Sequence, residues 1–163
     1  MQNKDTEFMR LAIDVAKAAP QGEVPVGAVI VKDGAVIAAG HNLREQTSDV
    51  TAHAEIVAIR NACQKLGGWN LHGCTIYVTL EPCPMCAGAI IQSRIDRIVF
   101  GAYDPKGGAA GSVCNLLVMP FAGQRTVKGG VMEDECLAVL HNFFEEYIRS
   151  SEKTSCNFDI ADV

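Results

Sequence analysis

The chain has 163 residues, 48% hydrophobic and 20% charged, which is enough to bury one full core and matches the balance of a globular domain. Its net charge of −5 arises at the C-terminus: from Glu133 onward eight acidic residues face two basic ones, Arg149 and Lys153, whereas the rest carries 12 basic and 11 acidic groups. The sequence therefore lacks the basic stripe of a strong nucleic-acid binder, and no run approaches the ~18 consecutive apolar residues of a membrane span.

The opening "MQNKDTEFMR" has no apolar stretch after its charges, so it reads as no secretory signal, and a cytoplasmic location is expected. Helical spacing begins at Met9, Ala12, Ile13 and Ala16, with Asp5 or Thr6 as the expected N-cap and Pro20 beyond the end. In "VGAVIVKDGAVIAAGHN" two β-rich runs flank Asp33-Gly34, a strong hairpin signal. From Ala54 to about Lys65 apolar residues recur at helical spacing until "LGGWN" stops them, and "CTIYVTL" reads as a central buried strand. Met85 to about Gln92 predicts a helix, "RIVFGA" a strand, "DPKGGAAGS" a loop and "RTVKGGVM" a short strand. Cys136, Val139, Leu140, Phe143, Phe144 and Tyr147 mark a last amphipathic helix. The order predicts an α/β domain over residues 1–150, a single mixed sheet with helices on both faces, followed by a polar, flexible tail at 151–163.

Seven cysteines are too many for chance neglect, and their odd number in a chain this long argues against a disulfide framework. Cys63, Cys74, Cys114 and Cys136 sit among apolar or small neighbours and are expected to be buried, inert thiols; Cys156, in the tail, is expected to be exposed. Cys83 and Cys86 differ. They lie three apart where a strand gives way to a helix, so both sulfurs can reach one ion, and Pro84 suits the first helical position. His53, at an earlier helix start, can supply a third ligand, and Glu55, two residues on, can approach the position left open. Three protein ligands, an open site and a carboxylate describe a catalytic zinc. A lone C-x-x-C also fits a thioredoxin-like redox pair, and a structural zinc could draw a fourth ligand from Cys63, His72, Cys74 or His141. The combination decides between these readings: H-x-E followed about thirty residues later by P-C-x-x-C is the signature of the zinc-dependent base deaminases.

"EVPVGAVIV", "GHN", "TAHAEI", "IYVTLEPCPMCAGA", "SRI", "VFGA" and "GGAAGS" together resemble the bacterial tRNA-specific adenosine deaminases, from about Met9 to Phe144. The resemblance implies a cytidine deaminase-like α/β/α fold with a five-stranded mixed sheet, a homodimer, and one zinc per chain held by His53, Cys83 and Cys86. It implies Glu55 as the proton shuttle for hydrolytic conversion of adenosine to inosine at the wobble position of a tRNA anticodon loop, and Asn42 as a hydrogen-bonding partner of the inserted base. Glu81 and Pro82 are expected to be scaffold, Lys106 a contact to phosphate or a solvated lysine, and Trp69 a residue packed at its loop. The sequence departs from the family at Gly123 and Gln124, where many relatives carry an Asn-His pair. It also departs after Phe143-Phe144, where Glu145, Glu146 and Tyr147 replace a basic run. These departures bear on phosphate contacts rather than on the chemistry, and they keep a free nucleobase or nucleoside (guanine, adenine or cytosine) as the alternative substrate.

Overall fold

The computed structural model describes residues 4–155. Helix α1 (Lys4–Lys17) leads into the hairpin β1 (Gly27–Lys32) and β2 (Ala35–His41). Asp33 and Gly34 both take positive φ, 50° and 77°, which is the backbone a two-residue turn between twisted strands demands. After a short helix α2 (Arg44–Thr47) come α3 (Ala54–Leu66), β3 (Cys74–Leu80), α4 (Pro84–Gln92) and β4 (Arg97–Ala102). Two 3-10 turns, β5 (Thr126–Lys128) and the 23-residue α5 (Glu133–Ser155) complete the chain. The helix thus runs five residues past the expected start of the tail at 151; Cys156 and the residues after it lie outside the described residues.

The strands form one mixed sheet in the order β2-β1-β3-β4-β5. β1 is antiparallel to β2 and β3, while β3, β4 and β5 run parallel. The lack of polar alternation in the central strands is explained by burial on both faces. Ala28, Ile30, Ile76, Val78, Ile98 and Phe100 point toward α3 and α4, whereas Val29, Val31, Tyr77 and Val99 point toward α1 and α5. Two glycines let the layers close: a Cβ on Gly27 would collide with the α1 backbone at Ala12 and Ala16, and one on Gly40 with the α3 backbone at Ala54 and Ala58.

Three expectations fail for identifiable reasons. Asp5 and Thr6 lie inside α1 rather than capping it. The Asp5 carboxylate is turned to the sheet, where it accepts hydrogen bonds from Arg97 at 2.7 and 2.9 Å, Lys128 Nζ at 2.8 Å and the Tyr77 hydroxyl at 3.0 Å. Cys63 is half-buried and Cys74 and Cys136 are buried, but Cys114 is exposed, because its loop folds around the Gly108 carbonyl among residues too small to cover a side chain. Trp69 is exposed as well, with the Arg94 guanidinium over its ring at 5.0 Å from the centroid.

Candidate metal centre and active site

The site forms where α3 and α4 begin, beside the C-terminal ends of β1 neighbours β2 and β3. His53 is the N-cap of α3, with extended φ and ψ of −73° and 157°, and Cys83 is the N-cap of α4, at −72° and 170°. Neither side chain caps its own helix, so both are free to turn toward each other. Pro84 occupies the first position of α4, where no backbone donor is needed, and Cys86 lies buried in the first turn. Two helix N-termini therefore aim their positive ends at one point, which favours thiolates and anions there.

His53 Nδ1 lies 3.7 Å from Cys83 Sγ and 3.6 Å from Cys86 Sγ, and the three donor atoms fall within 4.8 Å of one another. A tetrahedral zinc with sulfur at ~2.3 Å and nitrogen at ~2.05 Å would separate such ligands by about 3.6 Å, so the donor set fits the ion in kind and in spacing. Among the described residues no other His, Cys, Asp or Glu joins this group: Cys63, His72, Cys74 and His141 lie elsewhere, and His72 pairs with Asp96. Among the described residues the group thus offers three donors and no fourth, the number a catalytic zinc takes from its protein.

The electrostatics of the three groups are linked. The Cys83 thiol is pulled down to about 4, first by its hydrogen bond to Cys86 and then, against burial, by His53. The same bond and burial push the Cys86 thiol far up, and His53 is raised by Cys83. A cation bound here would replace those shared protons and hold both sulfurs as thiolates.

Glu55 follows in the first turn of α3, 4% exposed. Burial raises its carboxyl to about 7, with Cys83 acting in the same direction and His53 against it. It faces a cavity of about 230 Å³ that His53, Cys83 and Asn42 also line, with Val24, Val26 and Leu80 as apolar walls. Asn42 has a task that its motif did not announce. Its Oδ1 accepts from the Ala54 N–H at 2.9 Å and its Nδ2 donates to the Val24 carbonyl at 2.9 Å, so it caps α3 from outside and fixes the entry into β1. One amide hydrogen and one lone pair remain for a ligand.

Glu81 behaves as scaffold. Its two oxygens accept from the N–H groups of Asp104, Ala110 and Ser112 at 3.0 Å each and from the Ser112 hydroxyl, which fastens loop 104–112 over the site. Pro82 adds its carbonyl, which accepts from Ala109 N–H. Lys106 is exposed on that loop and is absent from the cavity lining, which Asp104 reaches instead. Sequence reasoning missed Glu23, Arg44, Glu45 and Asp104, all of which line the cavity. Glu23 alone left a signal: an acid between Gly22 and the apolar "VPVG" that turns out 3% exposed.

Residues 2–102 match the family described as the cytidine and deoxycytidylate deaminase zinc-binding region, and the span holds His53, Glu55, Cys83 and Cys86. The chain belongs to this deaminase family. It is 51% identical to the tRNA-specific adenosine deaminase of Bacillus subtilis (strain 168) over 154 residues, which covers 93% of this chain and 95% of that protein. The solved structure of a tRNA:A34 deaminase, from work on A-to-I editing at the wobble position of transfer RNA, aligns with a TM-score of 0.79 at 48% identity and covers 83% of this chain and 99% of that one. A guanine deaminase from Bacillus subtilis aligns with a TM-score of 0.57 at 44% identity over 60% of this chain and 63% of that one. The fold is the cytidine deaminase-like one, and the five-stranded mixed sheet expected from the sequence is its core. Zinc is the ion that suits both the family and the donor set.

Proposed function

We propose that this protein is a zinc-dependent hydrolase that deaminates adenosine to inosine at the wobble position of a tRNA anticodon loop. The observation that carries the chemistry is the convergence of His53, Cys83 and Cys86 on one point, with a buried carboxyl beside it and an open cavity in front. The near full-length similarity to the tRNA-specific deaminase of Bacillus subtilis supports the substrate.

His53 Nδ1 and the Cys83 and Cys86 sulfurs would hold one zinc per chain. When bound, the ion is a Lewis acid that makes water a nucleophile near neutral pH. Val24, Val26 and Leu80 grip the flat faces of the base, and Asn42 offers its spare amide hydrogen and lone pair to the ring edge. The base must be splayed out of its loop to enter, which single-stranded RNA permits at low cost. Glu55 takes one proton of the attacking water as its oxygen bonds to C6 and passes it to the ring nitrogen beside that carbon; it then takes the second proton from that oxygen and delivers it to the departing amino group. The C6–N bond breaks, ammonia leaves, and C6 keeps the oxygen as the carbonyl of inosine.

The same reading makes the protein a cytoplasmic homodimer. Val118 and Phe121, on the two 3-10 turns, and Met119 between them are 71%, 65% and 43% exposed and form an apolar surface suited to a second copy. Sedimentation of the purified protein should give twice the chain mass.

The substrate is tested by product analysis. Zinc-loaded protein is offered an adenosine-containing anticodon stem-loop, along with free bases and nucleosides. Inosine in the stem-loop is the expected result, lost on Glu55→Ala. Turnover of guanine or another free base, with the stem-loop inert, would overturn the polynucleotide reading in favour of the activity named for the guanine deaminase relative, as the acidic residues after Glu133 would then suggest.

A further inference from the structure

Two cavities meet at Glu23. One is the 230 Å³ cavity in front of His53 and Glu55; the other, about 710 Å³, is a groove between the end of α1, the loop 18–25 and α5, with Phe143 and Tyr147 on its far wall. Glu23 is the residue that lines both. The residue is 3% exposed; its side-chain Oε1 accepts from the Gln46 N–H at 2.7 Å, while its backbone N–H donates to the Pro20 carbonyl at 3.1 Å and anchors the main chain. The other oxygen, Oε2, has no partner among the described residues, yet no buried side-chain oxygen of the described residues is left unsatisfied. Oε2 therefore opens on cavity space rather than on packed protein, and an acceptor held this rigidly wants a donor.

The chemistry of that donor follows from charge and place. A carboxylate repels phosphate, so the partner on a polynucleotide is a neutral N–H or O–H. The base fills the cavity at Glu55 and the neighbouring nucleotide has room in the groove, so what crosses the shared wall is the sugar of the deaminated nucleotide. Its one free hydroxyl within an RNA chain is the 2′-OH. We propose that Glu23 binds the ribose 2′-hydroxyl of the target adenosine and thereby makes the enzyme selective for RNA over DNA. This inference rests on the tRNA reading above and assigns a substrate contact to a residue that the sequence analysis left without a role.

The test compares two stem-loops that are identical except for adenosine or 2′-deoxyadenosine at the target position, read as the ratio of kcat/KM values. A hydrogen bond to a charged acceptor corresponds to about a tenfold preference or more for the ribose form in the unaltered, zinc-loaded protein. In Glu23→Ala the ratio should fall close to one, because the deoxy substrate loses nothing further. Release of Gln46 lowers both substrates alike and leaves the ratio untouched, which separates binding from a merely structural role. Zinc content and circular dichroism report whether the variant folds. Glu23→Gln, which keeps the shape and can keep the Gln46 bond, serves as the second variant, and its ratio should drop by about threefold or more. Equal turnover of both stem-loops by the unaltered protein, or a ratio that survives in both variants, overturns the proposal and leaves the tRNA reading standing. A stem-loop that is inert in either form, while free bases are turned over, overturns both.

Discussion

Glu55 and Glu81 are both buried carboxyls, 4% and 2% exposed, at the same end of the sheet, and their protons behave in opposite ways. Burial pushes Glu55 up to about 7, since its own backbone N–H, His53 and a hydrogen bond with Cys86 do not offset the cost of charge. Burial works against Glu81 too, yet Ser112 through hydroxyl and N–H, together with the N–H groups of Asp104 and Ala110, holds it below its ordinary value. Donors rather than depth decide the charge. A carboxylate bound by four donors has no freedom to carry a proton and serves to fasten a loop. One left short of donors beside a cation site is able to move protons. The comparison can be broken by making each carboxyl neutral.

The largest effect is expected at Glu55. Glu55→Gln keeps the volume and removes the carboxyl proposed to shuttle protons, so kcat should fall by roughly 10²–10⁴-fold in single-turnover assays while zinc content stays near one per chain. A variant that lost its zinc instead would show that Glu55 supports the metal rather than the proton transfer. Stripping zinc with a chelator should abolish turnover and also lower the unfolding midpoint, because binding to the folded chain alone adds to its stability.

Glu81→Gln should leave the chemistry in place and cost stability. Its carboxamide can satisfy some of the four donors, but its NH₂ then faces others, a loss of about 2–3 kcal/mol in urea unfolding at pH 7. Glu55→Gln should do the reverse in zinc-free protein. A group with a raised folded-state value binds its proton more tightly when folded, so its contribution is present below about pH 4.5 and is lost as pH rises toward 7. At pH 8 the zinc-free Glu55→Gln protein should therefore be more stable than the unaltered one by about 1–3 kcal/mol, with the gap closing at pH 5. Equal responses of the two variants would show that burial alone sets both carboxyls.

How far this arrangement could be read in advance depends on the range of the interactions. The Asp33-Gly34 turn, the start of α4 at Pro84 and the end of α3 at Gly67 are local chemistry, and the sequence displays them. His53, Cys83 and Cys86 were legible because metal-ligand spacing and helix starts are also local, although their meeting across 30 and 33 residues needed the pattern as a whole. Other features were hidden. Helix α2 is four residues long and too short for any period. Cys114 looked apolar by its neighbours and is exposed because a loop among glycines cannot bury it. Asn42 and Glu23 do their work through backbone groups of distant segments, which no spacing records. The Asp5 cluster is the extreme case, since the partners Tyr77, Arg97 and Lys128 lie 72, 92 and 123 residues away.

That cluster offers a third carboxyl against which to sharpen the contrast. Asp5 is 6% exposed and held well below the usual carboxylate range, first by Arg97 and then, against burial, by Lys128 and Tyr77. It resembles Glu81 in being locked, but chiefly by the cations Arg97 and Lys128, with the Tyr77 hydroxyl beside them, so salt and pH should reach it. Its folded state binds the proton more weakly than the unfolded chain does. The stabilisation is therefore complete above about pH 4 and is lost as pH falls through the lowered folded value. Asp5→Asn should cost about 2 kcal/mol at pH 7, the low side for a buried pair because Arg97 and Lys128 reach solvent, and the gap from the unaltered protein should narrow by pH 3. Lys128→Ala should cost less still, about 1 kcal/mol or below, since the Lys128 side chain is 46% exposed and Arg97 keeps both of its bonds to Asp5. A larger loss from Lys128 than from Asp5 would mean that the lysine's aliphatic stem, packed at the edge of the sheet on β5, matters more than its charge.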